Sequence, residues 1–254
     1  MSPEPPPAPG SGQTPPPSSR PASGSRPAQT LAPVSHPATG PAPRSKAEKF
    51  WDRLARTWGR PSPEPGQVDT EPLAKTRPYL KPTDTVLDFG CAMGSVDLRL
   101  AGSVSTIHGI DISSRMIAGA QEAAEVRGVG NVTFAQATIY DESLNRQSYD
   151  VVLAFAVLHL LEDAPGALRR IAELLRPGGL LISVTPCLGE RGTVLVGALK
   201  VVARMAAAMR LIPRLWRCDR RRLVECMDAA GLITVEIEEL DHSVPEYFVA
   251  ARKI

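Results

Sequence analysis

Between residues 85 and 186, short apolar runs alternate with helical stretches, and this alternation constrains the fold more than any other feature of the chain. "DTVLDFG", "STIHGID", "NVTFAQA", "YDVVLAFAV" and "LLISVTP" read as strands. The helices between them include residues 94 to 102, "SSRMIAGAQEAAEVRG" with a Ser N-cap and Gly128 as its stop, and "EDAPGALRRIAELLRPGG" with a proline-glycine stop. Apolar strands separated by helices argue for a parallel sheet wrapped on both faces by right-handed crossovers. Ligands of such sheets bind beyond the carboxyl ends of the strands, near the point where strand order reverses.

The alternation stops after the fifth strand. A long helical stretch at about 192 to 211 and a helix at about 219 to 229 precede "ITVEIEEL" and "EYFVAARKI". Only "DHSVP" joins those last two strands, too short a link for a parallel crossover, so they are expected to pair antiparallel. The expected fold is therefore α/β: a doubly wound, mostly parallel seven-stranded sheet with an antiparallel last strand. Upstream, "KAEKFWDRLARTWG" places Phe50, Leu54 and Trp58 on one helical face, and a short helix is expected from Glu71 to Thr76, ending before Pro78.

Composition divides the chain further. Fourteen of its 25 prolines fall in the first 45 residues, among small and polar side chains that bury too little apolar surface to offset the entropy of ordering. Residues 1–45 read as a disordered tail and 46–254 as one domain, with a helical lid inserted at about 190–217. The tail has no apolar signal region. Its acid-poor, arginine-bearing composition is that of a transit peptide, while its proline density opposes the amphipathic helix such peptides form. Cys91, Cys187, Cys218 and Cys226 show neither a C-x-x-C pair nor metal-ligand spacing, which fits buried thiols in a reducing, cytoplasmic setting and no metal.

Net charge is +2, yet residues 191 to 222 hold nine basic side chains and one acid, Asp219. That patch suggests an anionic partner or a peripheral contact with an anionic membrane. RNA is disfavoured, since Trp216 is the only aromatic residue there to stack a base. "TVLVGALKVVARMAAAMRLI" is apolar around most of its circumference, but Lys200 and Arg204 in its middle argue against a spanning helix.

The chemistry sits in "VLDFGCAMGS". Gly90 and Gly94 allow the turn's backbone to approach a ligand, and the next helix offers free N–H groups. The pattern is G-x-A-x-G, with Ala92 in the middle, rather than the dinucleotide fingerprint G-x-G-x-x-G. Asp88 before the turn would repel a pyrophosphate but suits a ligand carrying an ammonium group. Asp111, at the end of the second strand, is placed to accept both hydroxyls of a ribose; capping the next helix is the alternative role, for which Ser113 stands better.

Together with "GIDISSRMI", "FAQATI", "YDVVLAFAVLHLLED" and "LRPGGLLI", this segment resembles the class I S-adenosylmethionine-dependent methyltransferases. The nearest branch is the type 11 group, which includes the ubiquinone and menaquinone C-methyltransferases. The resemblance covers everything from "FWDRLARTWG" onward and implies a Rossmann-like methyltransferase fold using S-adenosyl-L-methionine. It implies that Asp88, with the backbone at Gly90 and Gly94, lies around the methionine part, that Asp111 holds the ribose, that Ile112 and Met116 lie near the adenine, and that Cys91, Ala92 and Ala154 also bind the cofactor. Thr138 stands where relatives often carry an acid facing the adenine amino group. Ala92 is tolerable there if its φ is negative.

Ala154 to Leu158 are expected to line the pocket floor past the fourth strand. His159 is the candidate base, its alternative being a histidine that opens the next helix and bonds to backbone. No N/D-P-P-Y/F motif follows the fourth strand, which argues against amino methylation of adenine or glutamine. The expected activity is methyl transfer to oxygen or carbon of a small, lipophilic acceptor. A membrane-surface phospholipid N-methyltransferase and a non-catalytic interaction protein on the same fold are the alternatives.

Overall fold

The computed structural model describes residues 45–56, 70–187, 189, 215–240 and 245–254, all within one compact unit, Thr39–Ile254. The proline-rich tail up to residue 44, nearly all of the expected lid at 190–217, with its helix at 192–211, and Trp58 lie outside the described residues.

Helices α1 (Lys46–Ala55) and α2 (Glu71–Thr76) lead into β1 (Thr85–Phe89), α3 (Ser95–Leu100), β2 (Thr106–Asp111), α4 (Ser114–Arg127), β3 (Val132–Gln136) and β4 (Tyr149–Phe155). There follow a 3₁₀ turn at Leu158–Leu160, α5 (Ala164–Leu174), β5 (Leu175–Pro186), α6 (Arg220–Ala229), β6 (Leu232–Leu240) and β7 (Glu246–Lys253). The sheet has seven strands in the order β3-β2-β1-β4-β5-β7-β6. β1 to β5 pair in parallel, and β7 runs antiparallel to both β5 and β6. The expected hairpin is therefore present, and strand order reverses between β1 and β4.

Strand alternation sorts the core into two layers. Leu87, Phe89, Val152, Ala154, Leu181 and Val249 face α5 and α6. Val86, Val151, Leu153, Ile182 and Phe248 face α3 and α4, with Leu73 of α2. The central strands are apolar on both sides because both sides are covered.

Two boundaries differ from the sequence reading. The helix expected at 94 to 102 is α3 followed by a 3₁₀ turn, Ala101–Ser103. β5 starts at Leu175 rather than at the apolar run. Tyr149 pairs with Leu175 and Val151 with Leu180, so Arg176 to Gly179 bulge out, with Gly178 at φ 76°. The proline-glycine pair thus kinks a strand already begun. Ser113 and Gly128 cap α4 as its sequence demands: the Ser113 hydroxyl accepts the Met116 N–H at 3.2 Å, and Gly128 is left-handed.

Beyond β5 the chain is drawn together on either side of the insertion. Gly189 N–H donates to the Cys218 carbonyl at 2.7 Å, and Trp216 N–H to the His159 carbonyl at 2.9 Å. The buried Cys187 and Cys218 sulfurs lie 3.6 Å apart.

Candidate functional site

The loop from β1 to α3 is fastened to the end of β2. The N–H groups of Gly90 and Cys91 both donate to the Ile110 carbonyl, at 2.8 and 3.1 Å. Gly90 (φ 83°) and Gly94 (φ 73°) are left-handed, and neither has room for a side chain. A Cβ at Gly90 would lie 2.7 Å from Val157 Cγ2, and one at Gly94 2.5 Å from Phe134 Cζ. Packing against β3 and the β4 exit therefore requires these glycines, whatever a ligand asks of them.

Ala92 does not have the negative φ expected of a tolerated alanine. It sits at φ 48°, where an L-residue costs on the order of 1 kcal/mol. Its N–H donates to Asp111 Oδ2 at 3.2 Å, which offsets part of that cost. Ala156, just past β4, repeats the conformation at φ 51° and is exposed. Left-handed alanines thus follow both strands that flank the reversal, and such conformations gather at functional sites.

Asp111 joins the loop to α4. Its Oδ1 accepts the Ser113 N–H at 2.8 Å while Oδ2 takes Ala92, and each oxygen retains a lone pair for a ligand hydroxyl. Burial raises its pKa, opposed by these backbone donors. Ile112 is half-buried, and its carbonyl accepts the Gln136 side chain at 3.0 Å. Thr138 is exposed, with its hydroxyl accepting the Tyr140 N–H at 3.3 Å. Two of the expected contacts are core residues: Met116 is buried beneath α4, and Ala154 lies wholly inside the sheet, two residues short of the exposed Ala156. Cys91 is buried, and its thiol is held neutral by burial and the surrounding acids.

Asp88 is buried at 2 % exposure, on the sheet face that α3 covers. Facing it is Asp97, in the first turn of α3 and fully buried. No donor reaches either Asp97 oxygen among the described residues, and the Asp88 carboxyl lies within hydrogen-bonding reach. Burial first, then the charge of Asp97, raises Asp88 well above the ordinary carboxylate range. Burial raises Asp97 to about 7.

The sequence reading missed Asp97. Its signal was there: Asp97, Leu100 and Ala101 fall on one helical stripe, and all three are buried. It also missed Asp52, a buried acid of α1 whose Oδ1 accepts the Ser113 hydroxyl at 2.6 Å and so docks α1 on the N-terminal end of α4. A cavity of about 430 Å³ beside it is lined by Lys49, Arg53, Arg56, Ser114 and Arg115.

His159 occupies the 3₁₀ turn after β4. Burial lowers its pKa to about 4, so the ring is neutral at physiological pH. Its Nδ1 is buried without a partner among the described residues, and only its backbone carbonyl is engaged, by Trp216. A neutral imidazole with an open nitrogen is a hydrogen-bond acceptor of low basicity.

Residues 80–238 match the family model described as a methyltransferase domain. The chain is 34 % identical over 106 residues to aklanonic acid methyltransferase of Streptomyces sp. (strain C5), covering 41 % of this chain and 48 % of that protein. It is 40 % identical over 103 residues to nocamycin O-methyltransferase of Saccharothrix syringae, covering 39 % of this chain and 36 % of that one. The chain therefore spans less than half the length of these relatives. In fold it is similar to phosphoethanolamine N-methyltransferase 2 of Haemonchus contortus, solved with phosphomonomethylethanolamine and S-adenosylhomocysteine. The TM-score is 0.66 at 19 % identity, covering 82 % of this chain and 61 % of that one.

Proposed function

The chain belongs to the methyltransferase-domain family, and on that premise we propose that it is an S-adenosyl-L-methionine-dependent methyltransferase acting on oxygen or carbon of a small, lipophilic acceptor. The observation that carries this reading is the β1–α3 loop at the strand-order reversal, bonded through Ala92 to an Asp111 carboxylate that keeps lone pairs for a diol. The residues fit the cofactor at both ends. Asp111 suits its ribose, and the buried carboxyls of Asp88 and Asp97, the latter with no donor among the described residues, suit its positive charge. When bound, S-adenosyl-L-methionine supplies an electrophilic methyl group on a sulfonium.

The chain's task is then to orient an acceptor and exclude water. Past β4, Phe155 to His159 stand where the acceptor would lie. There the open Nδ1 of His159 accepts a hydrogen bond from an acceptor hydroxyl or enol and fixes its direction of attack. The named reaction of the Saccharothrix relative favours oxygen as the atom methylated.

Isothermal calorimetry with S-adenosyl-L-methionine and S-adenosylhomocysteine tests the reading. Saturable binding of both is expected, followed by release of S-adenosylhomocysteine from a panel of hydroxylated and carboxylated acceptors. No heat of binding from either compound at millimolar concentration would reject it.

A further inference from the structure

Asp97 has no part in the reading above, and its surroundings give it one. The alternation of β1 puts Val86 and Asp88 on the face covered by α3 and α4, and the stripe of α3 that carries Leu100 and Ala101 brings Asp97 onto the same face. Both carboxyls are buried, and neither Asp97 oxygen meets a donor among the described residues.

Among the described residues, Asp111 from β2 acts on the pair and the pair acts on the neutral Cys91 thiol of the loop, and no cation stands among these groups. Two neighbouring carboxylates shielded from water on one buried face cannot both be ionised without a counter-charge. A contact between two acceptors becomes a hydrogen bond only when a proton lies between them. The cation-free state therefore keeps one proton on the pair. The loop above it, with left-handed residues at Gly90, Ala92 and Gly94, is the one the cofactor reading places around the methionine part.

We propose that Asp97 is a positioning residue acting through Asp88: the two hold one proton while no cation is present and release it to solvent when a cationic ligand binds over the Gly90–Gly94 loop. The ligand's identity as S-adenosyl-L-methionine rests on the reading above, whereas the shared proton does not. No covalent bond changes in this step. A proton leaves the pair, and the ligand's positive charge takes over the neutralisation it provided.

Calorimetry of S-adenosyl-L-methionine binding at about pH 6.5, in two buffers of different ionisation enthalpy, counts the protons released. Close to one is expected for the wild-type chain and close to none for Asp97→Asn, whose amide donates to Asp88 without titrating. Wild-type affinity is expected to rise with pH by up to about tenfold per unit over the range in which the pair holds its proton, a slope that Asp97→Asn abolishes.

A wild-type chain that binds the cofactor without proton release overturns the proposal and leaves the methyltransferase reading intact. If nothing binds, that reading and the ligand half of the proposal fall together. The shared proton is then judged on the cofactor-free protein. Its thermal midpoint is expected to fall between pH 5 and 8 relative to Asp97→Asn or Asp88→Asn, and parallel curves overturn it. The wild-type proton count alone decides the matter if neither variant folds.

Discussion

The two halves of the crevice are built differently. At the carboxyl ends of β1 and β2, loop, strand and helix are joined by backbone hydrogen bonds: Gly90 and Cys91 to Ile110, Ala92 and Ser113 to Asp111. Past β4 the main chain is tied as well, Ala156 N–H to the Val184 carbonyl at 2.7 Å and Trp216 N–H to the His159 carbonyl at 2.9 Å, but a side-chain group is left open: His159 Nδ1 is buried without a partner among the described residues. The first half is shaped before a ligand arrives. The second carries an unmet acceptor for the ligand to satisfy. A fixed cofactor grip beside an unfinished acceptor wall is how one fold can keep its reagent and change its substrate.

The largest effect expected from this contrast is at Asp111. Asp111→Ala removes the diol acceptor and orphans the N–H groups of Ala92 and Ser113, so affinity for S-adenosyl-L-methionine should fall on the order of 100-fold. Denaturant unfolding should show a loss of about 1–3 kcal/mol at the same time. An unchanged affinity would mean that the grip lies elsewhere.

His159→Gln should do the opposite, lowering kcat by about 100-fold while leaving cofactor affinity nearly unchanged. The pH behaviour sharpens the point. The folded pKa of His159, about 4, lies below the ordinary 6.5, so the unfolded chain binds more protons between those values. Its contribution to stability is whole above about pH 6.5 and is lost as pH falls through 4. Thermal midpoints of His159→Gln should decline less over that window, and the wild-type rate should show no limb near 6.5 from this residue.

The smallest effect is at the loop. Ala92→Gly relieves a left-handed alanine and should stabilise the fold by about 1 kcal/mol at most, since glycine also frees the unfolded chain. Cofactor affinity should stay within about twofold if the loop is already in its binding shape. A large gain in affinity would show that the alanine distorts the grip.

The sheet was readable because strands covered on both faces announce themselves as unbroken apolar runs, and the short link before Glu246 excluded a crossover. The early start of β5 was hidden by Pro177, Gly178 and Gly179, which resemble a stop and form a bulge. Asp88 and Asp111 were legible as acids at the ends of strands. Asp97 carried only the weaker signal of sharing a helical stripe with Leu100 and Ala101, which is easily passed over because an acid in the first turn of a helix ordinarily faces water and favours the helix dipole. The φ of Ala92 depends on a carboxylate 19 residues away, a tertiary contact that no local pattern encodes. Met116 and Ala154 show the converse difficulty, since an apolar residue beside a site and one in the core look alike in sequence.

The position of β7 bears on how the protein is made. Phe248, Val249, Ala250 and Ala251 are fully buried, and the strand they form lies between β5 and β6, both of which leave the ribosome before it. Until residues 246–253 emerge, the nascent chain holds β5 as an open apolar edge and β6 without a neighbour, the kind of surface on which chains associate wrongly. Biogenesis of this domain therefore turns on its final strand, and slow translation or truncation near Glu246 endangers solubility before it touches any chemistry.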